Sequence, residues 1–137
     1  MMHNLIIWVR HLRRIALFEI STRTVIIILM VLGSWVATQH LEIPEQFDFN
    51  DKLVHAFVFF WFSVLMDLAS DKKPFWLWKG LPLLTYGILI EVMQYFSPDR
   101  EFSFLDMLAD LAGIMLYFLI KTLLIWLDSK RLGKAVS

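Results

Sequence analysis

TVIIILMVLGSWVATQHL, residues 24–41, contains no Asp, Glu, Lys or Arg. Eighteen helical residues at about 1.5 Å each nearly cross a hydrocarbon core about 30 Å thick. The stretch predicts a membrane-crossing helix, and the composition agrees. Hydrophobic residues make up 58% of the 137 and mean hydropathy is +0.62, above the roughly 45–50% apolar share of soluble domains. A soluble domain of 16.2 kDa has too little interior for 12 Phe and 6 Trp, because small domains carry much surface for their volume. The class is integral membrane protein, with a soluble helical bundle as the alternative.

Three further spans follow, each interrupted by polar residues: 51–69 with His55 and Asp67, 75–96 with Lys79 and Glu91, and 102–127 with Asp106, Asp110 and Lys121. The expected fold is all-α, a four-helix membrane bundle. Basic residues sort by loop. Arg10, Arg13, Arg14 and Arg23 precede the first span, Lys72, Lys73 and Lys79 join the second and third, and Lys130, Arg131 and Lys134 follow the fourth. The other two connections are acidic or balanced, so the positive-inside bias puts both termini in the cytoplasm. Trp76, Trp78 and Trp126 then fall in the inner aromatic belt. Arg10, Arg13 and Arg14 share a helical face, with Ile7, Trp8, Leu12, Ile15 and Phe18 on the others, the pattern of a helix lying on a membrane surface. The organisation expected is an amphipathic interfacial segment at 1–21, a four-span domain at 22–128 and a basic tail at 129–137. No cleavable signal peptide is expected, because arginines interrupt the N-terminal apolar residues. Thirteen basic residues balance thirteen acidic ones and cysteine is absent. These facts exclude thiolate chemistry and give nucleic-acid binding no support.

The polar residues of the last three spans converge on one membrane level. His55 lies about 6 Å into its span and Glu91 about 8 Å from the end of its own. Asp106 and Asp110 fall one and two turns into the last span. Asp51 and His55 are i, i+4; Glu91 and Gln94 are i, i+3; Asp106 and Asp110 are i, i+4. Each helix thus carries one polar stripe. An Asp at mid-bilayer costs on the order of 2.5–3.5 kcal/mol, so these groups should face one another or water, as a pocket open to the outside. Lys52, Arg100 and Ser103 rim it, and Gly87 and Gly113 let neighbouring backbones approach. Asp67, Lys79 and Lys121 sit close enough to the inner ends to snorkel separately. Gly33, Ser34 and Ala37 read as a helix-packing face.

DKLVHAFVF (residues 51–59), GILIEVMQ (87–94) and PDREFSFLDMLADLAG (98–113) together resemble the VanZ-like family of small bacterial membrane proteins. The resemblance covers roughly residues 51–113, with Asp110 where Asn is usual. It implies a cell-envelope protein of the bacterial cytoplasmic membrane. The founding member is associated with resistance to teicoplanin, a glycopeptide with a lipid tail; biochemical activities in the family are generally undefined.

Three functional readings follow. In the first, the pocket binds or processes an amphipathic substrate, a membrane lipid or lipid-linked cell-wall precursor. Asp51, Lys52, Gln94, Arg100, Ser103 and Asp110 would contact it, with the two cations meeting a phosphate. In the second, the protein is a membrane-embedded hydrolase or transferase. His55 with Glu91 or Asp106 would work as general acid and base, or His55, Glu91, Asp106 and Asp110 would support a metal-dependent variant. In the third, the same residues are a structural network fixing helix register. No cofactor and no metal ligand is assigned. A transporter is disfavoured, since polar residues confined to one leaflet give no through-path.

Overall fold

The computed structural model describes the backbone of residues 2–39, 48–98 and 102–135, and the side chains of residues 16–39, 51–98 and 102–130. Among these the chain is all helical: α1 (Met2–Ala37), α2 (Asp48–Leu68), α3 (Leu81–Tyr95) and α4 (Phe104–Ala135). A π-helical turn, Trp76–Gly80, leads directly into α3, and the Leu81 N–H donates to the Trp76 carbonyl. Pro82 accounts for the wider turn. It has no N–H to offer Trp78, and its ring crowds that carbonyl in an α-helical geometry. α1 continues unbroken through the expected boundary at residue 21. The faces expected for Arg10, Arg13 and Arg14 lie outside the described side chains, as do Arg131 and Lys134 of the basic tail, whose first residues continue α4.

α1 is helical despite its run of β-branched residues, which favour strands in water. In an apolar surrounding a single segment satisfies its own N–H and C=O groups only as a helix. The hydroxyls follow the same rule. Thr22 donates to the Phe18 carbonyl at 2.8 Å, Ser63 to Phe59 at 2.9 Å and Thr122 to Phe118 at 2.8 Å, each folding back on the turn before it.

Two helices, Ala16–Ala37 within α1 and Phe104–Lys130 within α4, are long and apolar enough to cross a membrane. Only 11% of the first and 17% of the second is buried. Their apolar side chains therefore form the outside of the molecule, with Ile27, Val31 and Trp35 exposed on α1 and Leu119, Leu123 and Ile125 on α4.

Contacts between the helices fix the topology as up, down, up, down. The Arg23 Nε donates to the Ala69 carbonyl at 3.1 Å, joining the lower part of α1 to the end of α2. The Tyr86 hydroxyl donates to the Met30 carbonyl at 2.7 Å and lies 3.2 Å from the Ser34 hydroxyl. Farther along both helices Gln94 meets the Ala37 carbonyl, so α1 and α3 run parallel, and the expected packing role of the small face around Ser34 is realised. α2 and α4 are likewise parallel and form the most extensive contact. Gly113 is the reason they pack so closely: a Cβ there would strike the Ala56 backbone carbonyl. Phe59, Phe62, Phe75, Leu83 and Ile114 fill the core between these elements.

The end of the bundle where α2 finishes carries a cluster that spacing alone did not suggest. Asp67, expected to snorkel, accepts from three side chains on two other elements at once. The Tyr117 hydroxyl and the Lys121 ammonium each lie 2.6 Å from its Oδ2, and the Lys79 ammonium contacts its Oδ1. The Lys79 side chain is 4% exposed, so it is turned inward onto Asp67.

Candidate functional site

At the opposite end, α2 supplies Asp51, Lys52 and His55, α3 supplies Glu91 and Gln94, and α4 supplies Asp106 and Asp110 behind Ser103. The matched one-turn spacings on parallel α2 and α4 set Asp51 and His55 level with Asp106 and Asp110. The His55 Nδ1 lies 2.9 Å from the Asp110 Oδ1, and both side chains are largely buried, at 12% and 2% exposure. The carboxylate hydrogen-bonded to His55 is thus Asp110, where Glu91 or Asp106 was expected. One turn nearer the rim, the Lys52 ammonium lies 3.7 Å from the Asp106 Oδ1.

Ser103 is a helix cap. Its hydroxyl accepts from the Asp106 N–H at 3.3 Å and its carbonyl accepts from the same N–H at 3.2 Å, satisfying one of the orphan donors at the start of α4. In a capping box the acidic side chain three residues on would reach back to the Ser N–H. Here that N–H donates instead to Glu91 Oε2 of α3, at 2.8 Å. Glu91, fully buried at 0% exposure, closes the cap from a neighbouring helix, where the positive end of the α4 dipole favours it. Asp106 is left to face Lys52.

Gly87 serves this arrangement differently from the backbone approach expected of it. A Cβ at this position would meet the Asp110 Oδ2, so the glycine makes room for a carboxylate rather than for a helix backbone. Gln94 is drawn away from the cluster: its Nε2 donates to the Ala37 carbonyl at 3.2 Å, capping the end of α1. Arg100 lies outside the described residues.

Three carboxylate oxygens in this cluster, Glu91 Oε1, Asp106 Oδ1 and Asp110 Oδ2, are buried and have no hydrogen-bond partner among the described residues. Their residues are 0%, 6% and 1% exposed. Buried polar groups are nearly always partnered, because leaving water unpaired is costly. Asp51, His55 and Asp106 also offer donor atoms that all lie within 4.8 Å of one another.

Beside the cluster runs a cleft of about 320 Å³ between α1, α2 and α3. Val36, Val54, Val58, Phe59, Phe62 and Ile90 form its apolar walls, and Asp51, His55 and Gln94 its polar end. Binding clefts of about 300–1,000 Å³ commonly have this mix of apolar wall and a few convergent polar groups. Sequence reading missed the walls from α1 and the inner role of Tyr86, since no spacing rule links residues fifty positions apart. It also missed the Asp67 cluster, for which one signal existed: an acid and two lysines near the ends of three spans. No protein-family model, curated protein or solved structure matches the chain.

Proposed function

We propose that the chain is a four-span protein of the bacterial cytoplasmic membrane, VanZ-like, with both termini inside. In this reading the cleft binds or processes an amphipathic, lipid-linked substrate at the outer leaflet. The observation that carries it is the cleft itself, an apolar-walled space whose polar end is formed by the half-buried Asp51 and His55 together with Gln94. An acyl or isoprenyl chain would lie against Val58, Phe59 and Ile90, and the polar group would meet Asp51 and His55.

Several features support the membrane reading. α2 has 21 residues and the π turn with α3 has 5 and 15, so each rod is about 30 Å long. Their ionisable residues are turned into the bundle, as membrane-buried charges are. Lys72 lies 4.5 Å from the Trp78 ring and Lys130 lies 3.8 Å from that of Trp126, a pairing of base and indole suited to the inner membrane face.

The test is mass spectrometry of lipid extracted from protein purified in mild detergent, wild type against Val54→Trp. Val54 lines the cleft and is 56% exposed, so an indole there fills the channel without entering the core. A defined lipid class should accompany the wild type and be depleted at least severalfold from the variant. Equal lipid on both proteins would sink the proposal.

A second reading has one observation in its favour. His55 held by Asp110 at 2.9 Å is the arrangement that fixes an imidazole tautomer for general-base work. Under it, Asp110→Asn should abolish turnover of a bound substrate while leaving binding intact. Turnover unchanged in that variant would dispose of it.

A further inference from the structure

We infer that Asp51, His55 and Asp106 form a binding site for one divalent cation between α2 and α4. Asp51 and His55 stand one turn apart on the same face of α2, the spacing at which two side chains can grip one ion. Asp106 approaches from α4, and the three donor atoms lie within 4.8 Å of one another. Donors at tetrahedral angles around an ion with bonds of about 2.1 Å are about 3.4 Å apart, so side-chain adjustments of up to about 1 Å close the set.

A second observation points to the same ligand. Among the described residues, Asp106 Oδ1 is buried without a hydrogen bond on a residue 6% exposed, and Glu91 Oε1 and Asp110 Oδ2 are orphaned behind it. The Lys52 ammonium stands 3.7 Å from that Asp106 oxygen, beyond hydrogen-bonding distance. The charge balance agrees. Among the described residues this end holds Asp51, Glu91, Asp106 and Asp110 against Lys52 and His55, whereas Asp67 at the other end meets two lysines.

The histidine is prepared for a ligand. Asp110 engages Nδ1 at 2.9 Å, leaving Nε2 as the coordinating nitrogen, and a carboxylate behind a metal-bound imidazole fixes its orientation and raises its basicity. One imidazole and two carboxylates suit the borderline Zn²⁺, or the harder Mn²⁺, better than Mg²⁺, which prefers all-oxygen ligands and retained water. Three protein ligands leave a coordination position open. Asp51 and His55 also line the polar end of the cleft. On the lipid reading above, that position would receive a lipid phosphate, which the carboxylates alone would repel and a bound cation would attract.

The experiment is calorimetric titration of tag-free, chelator-treated protein in lipid-free detergent with ZnCl₂ and with MnCl₂, followed by thermal unfolding of each form. One ion per chain should bind and raise the unfolding midpoint. Asp51→Asn should weaken binding at least about tenfold, as expected for a lost ligand. Asp51 takes no part in the Glu91–Ser103 or His55–Asp110 hydrogen bonds, so the ion-free variant should unfold with the ion-free wild type. Absence of stoichiometric binding, or equal affinity in wild type and Asp51→Asn, would overturn the site whatever lipid copurifies. A bound ion without any lipid in the purified protein would stand for the site and count against the lipid reading alone.

Discussion

Glu91 shows why a carboxylate sits in a segment otherwise apolar. Its Oε2 accepts the Ser103 N–H, an orphan of the α4 terminus that no residue of α4 itself satisfies. Glu91→Gln retains a carbonyl acceptor of the same reach, so it should unfold within about 1 kcal/mol of wild type. Glu91→Ala leaves the buried donor unpaired and should cost about 1–3 kcal/mol, before any loss of packing. Unfolding in detergent separates them; a Gln variant as unstable as the Ala variant would mean that charge, not the acceptor, holds α4. The two glycines allow a matching comparison. Gly→Ala inside a helix ordinarily gains about 0.5–1 kcal/mol, so any loss reports sterics. At Gly87 the new methyl meets the Asp110 carboxylate and, at 3.2 Å, the Phe59 ring, groups with some freedom to move. At Gly113 it meets the Ala56 backbone carbonyl, which moves only with α2. Gly87→Ala should cost about 1–3 kcal/mol and Gly113→Ala more, and the reverse order of midpoints would contradict the close α2–α4 approach.

Between elements, two polar clusters hold the helices in register, and they differ in what removal exposes. Asp67 accepts from Lys79, Tyr117 and Lys121, tying α2 to the π turn and to α4. Asp67→Asn strands the buried Lys79 ammonium and should cost about 3–5 kcal/mol, because an unpaired buried charge is worse than no pair. Asp67→Asn with Lys79→Met should recover much of that loss in the same unfolding assay; a double variant no better than the single would remove Lys79 from the account. This cluster also marks the limit of what the chain's sequence discloses. Helix type was legible because charge-free and one-turn polar patterns are local, and so was the gathering of His55, Glu91, Asp106 and Asp110, since each sits at a countable depth in its helix. Partner choice was not. Nothing local assigns Asp110 rather than Glu91 to His55, sends Gln94 to the Ala37 carbonyl, or makes Glu91 cap α4. Those pairings depend on how far each helix is rotated about its axis, which packing at Gly113 and Gly87 decides. The apolar cleft was illegible for the same reason, as its walls come from three helices.

For the whole molecule, the four crossings proposed are testable at one loop, because the helix directions alternate. Among the described residues, α1 and α4 are the helices long and apolar enough to cross unaided. If only they do so, with the N-terminus inside, the α2–α3 hairpin must leave its packing along α4 and its Arg23–Ala69 contact and stay on the outer side, and both its connection and Ser97 face outward. If all four cross, Ser97 faces outward but the connection at Ser70 returns to the cytoplasm, beside Arg23, Lys72 and Lys73. The chain contains no cysteine, so single cysteines report cleanly. In intact cells, Ser97→Cys should react with a membrane-impermeant maleimide, while Ser70→Cys and Ser129→Cys should react only after permeabilisation. The physical expectation rests on burial of charge. With four spans, Lys79, at 3% exposure, reaches the inner edge already paired with Asp67, and His55, Glu91, Asp106 and Asp110 are all enclosed by helices. Labelling of Ser70→Cys in intact cells would reduce the molecule to two spans with an external hairpin, and would move the acid cluster out of the bilayer. Protection of Ser70→Cys would fix the cluster at the outer leaflet, at the depth where a lipid headgroup can reach it.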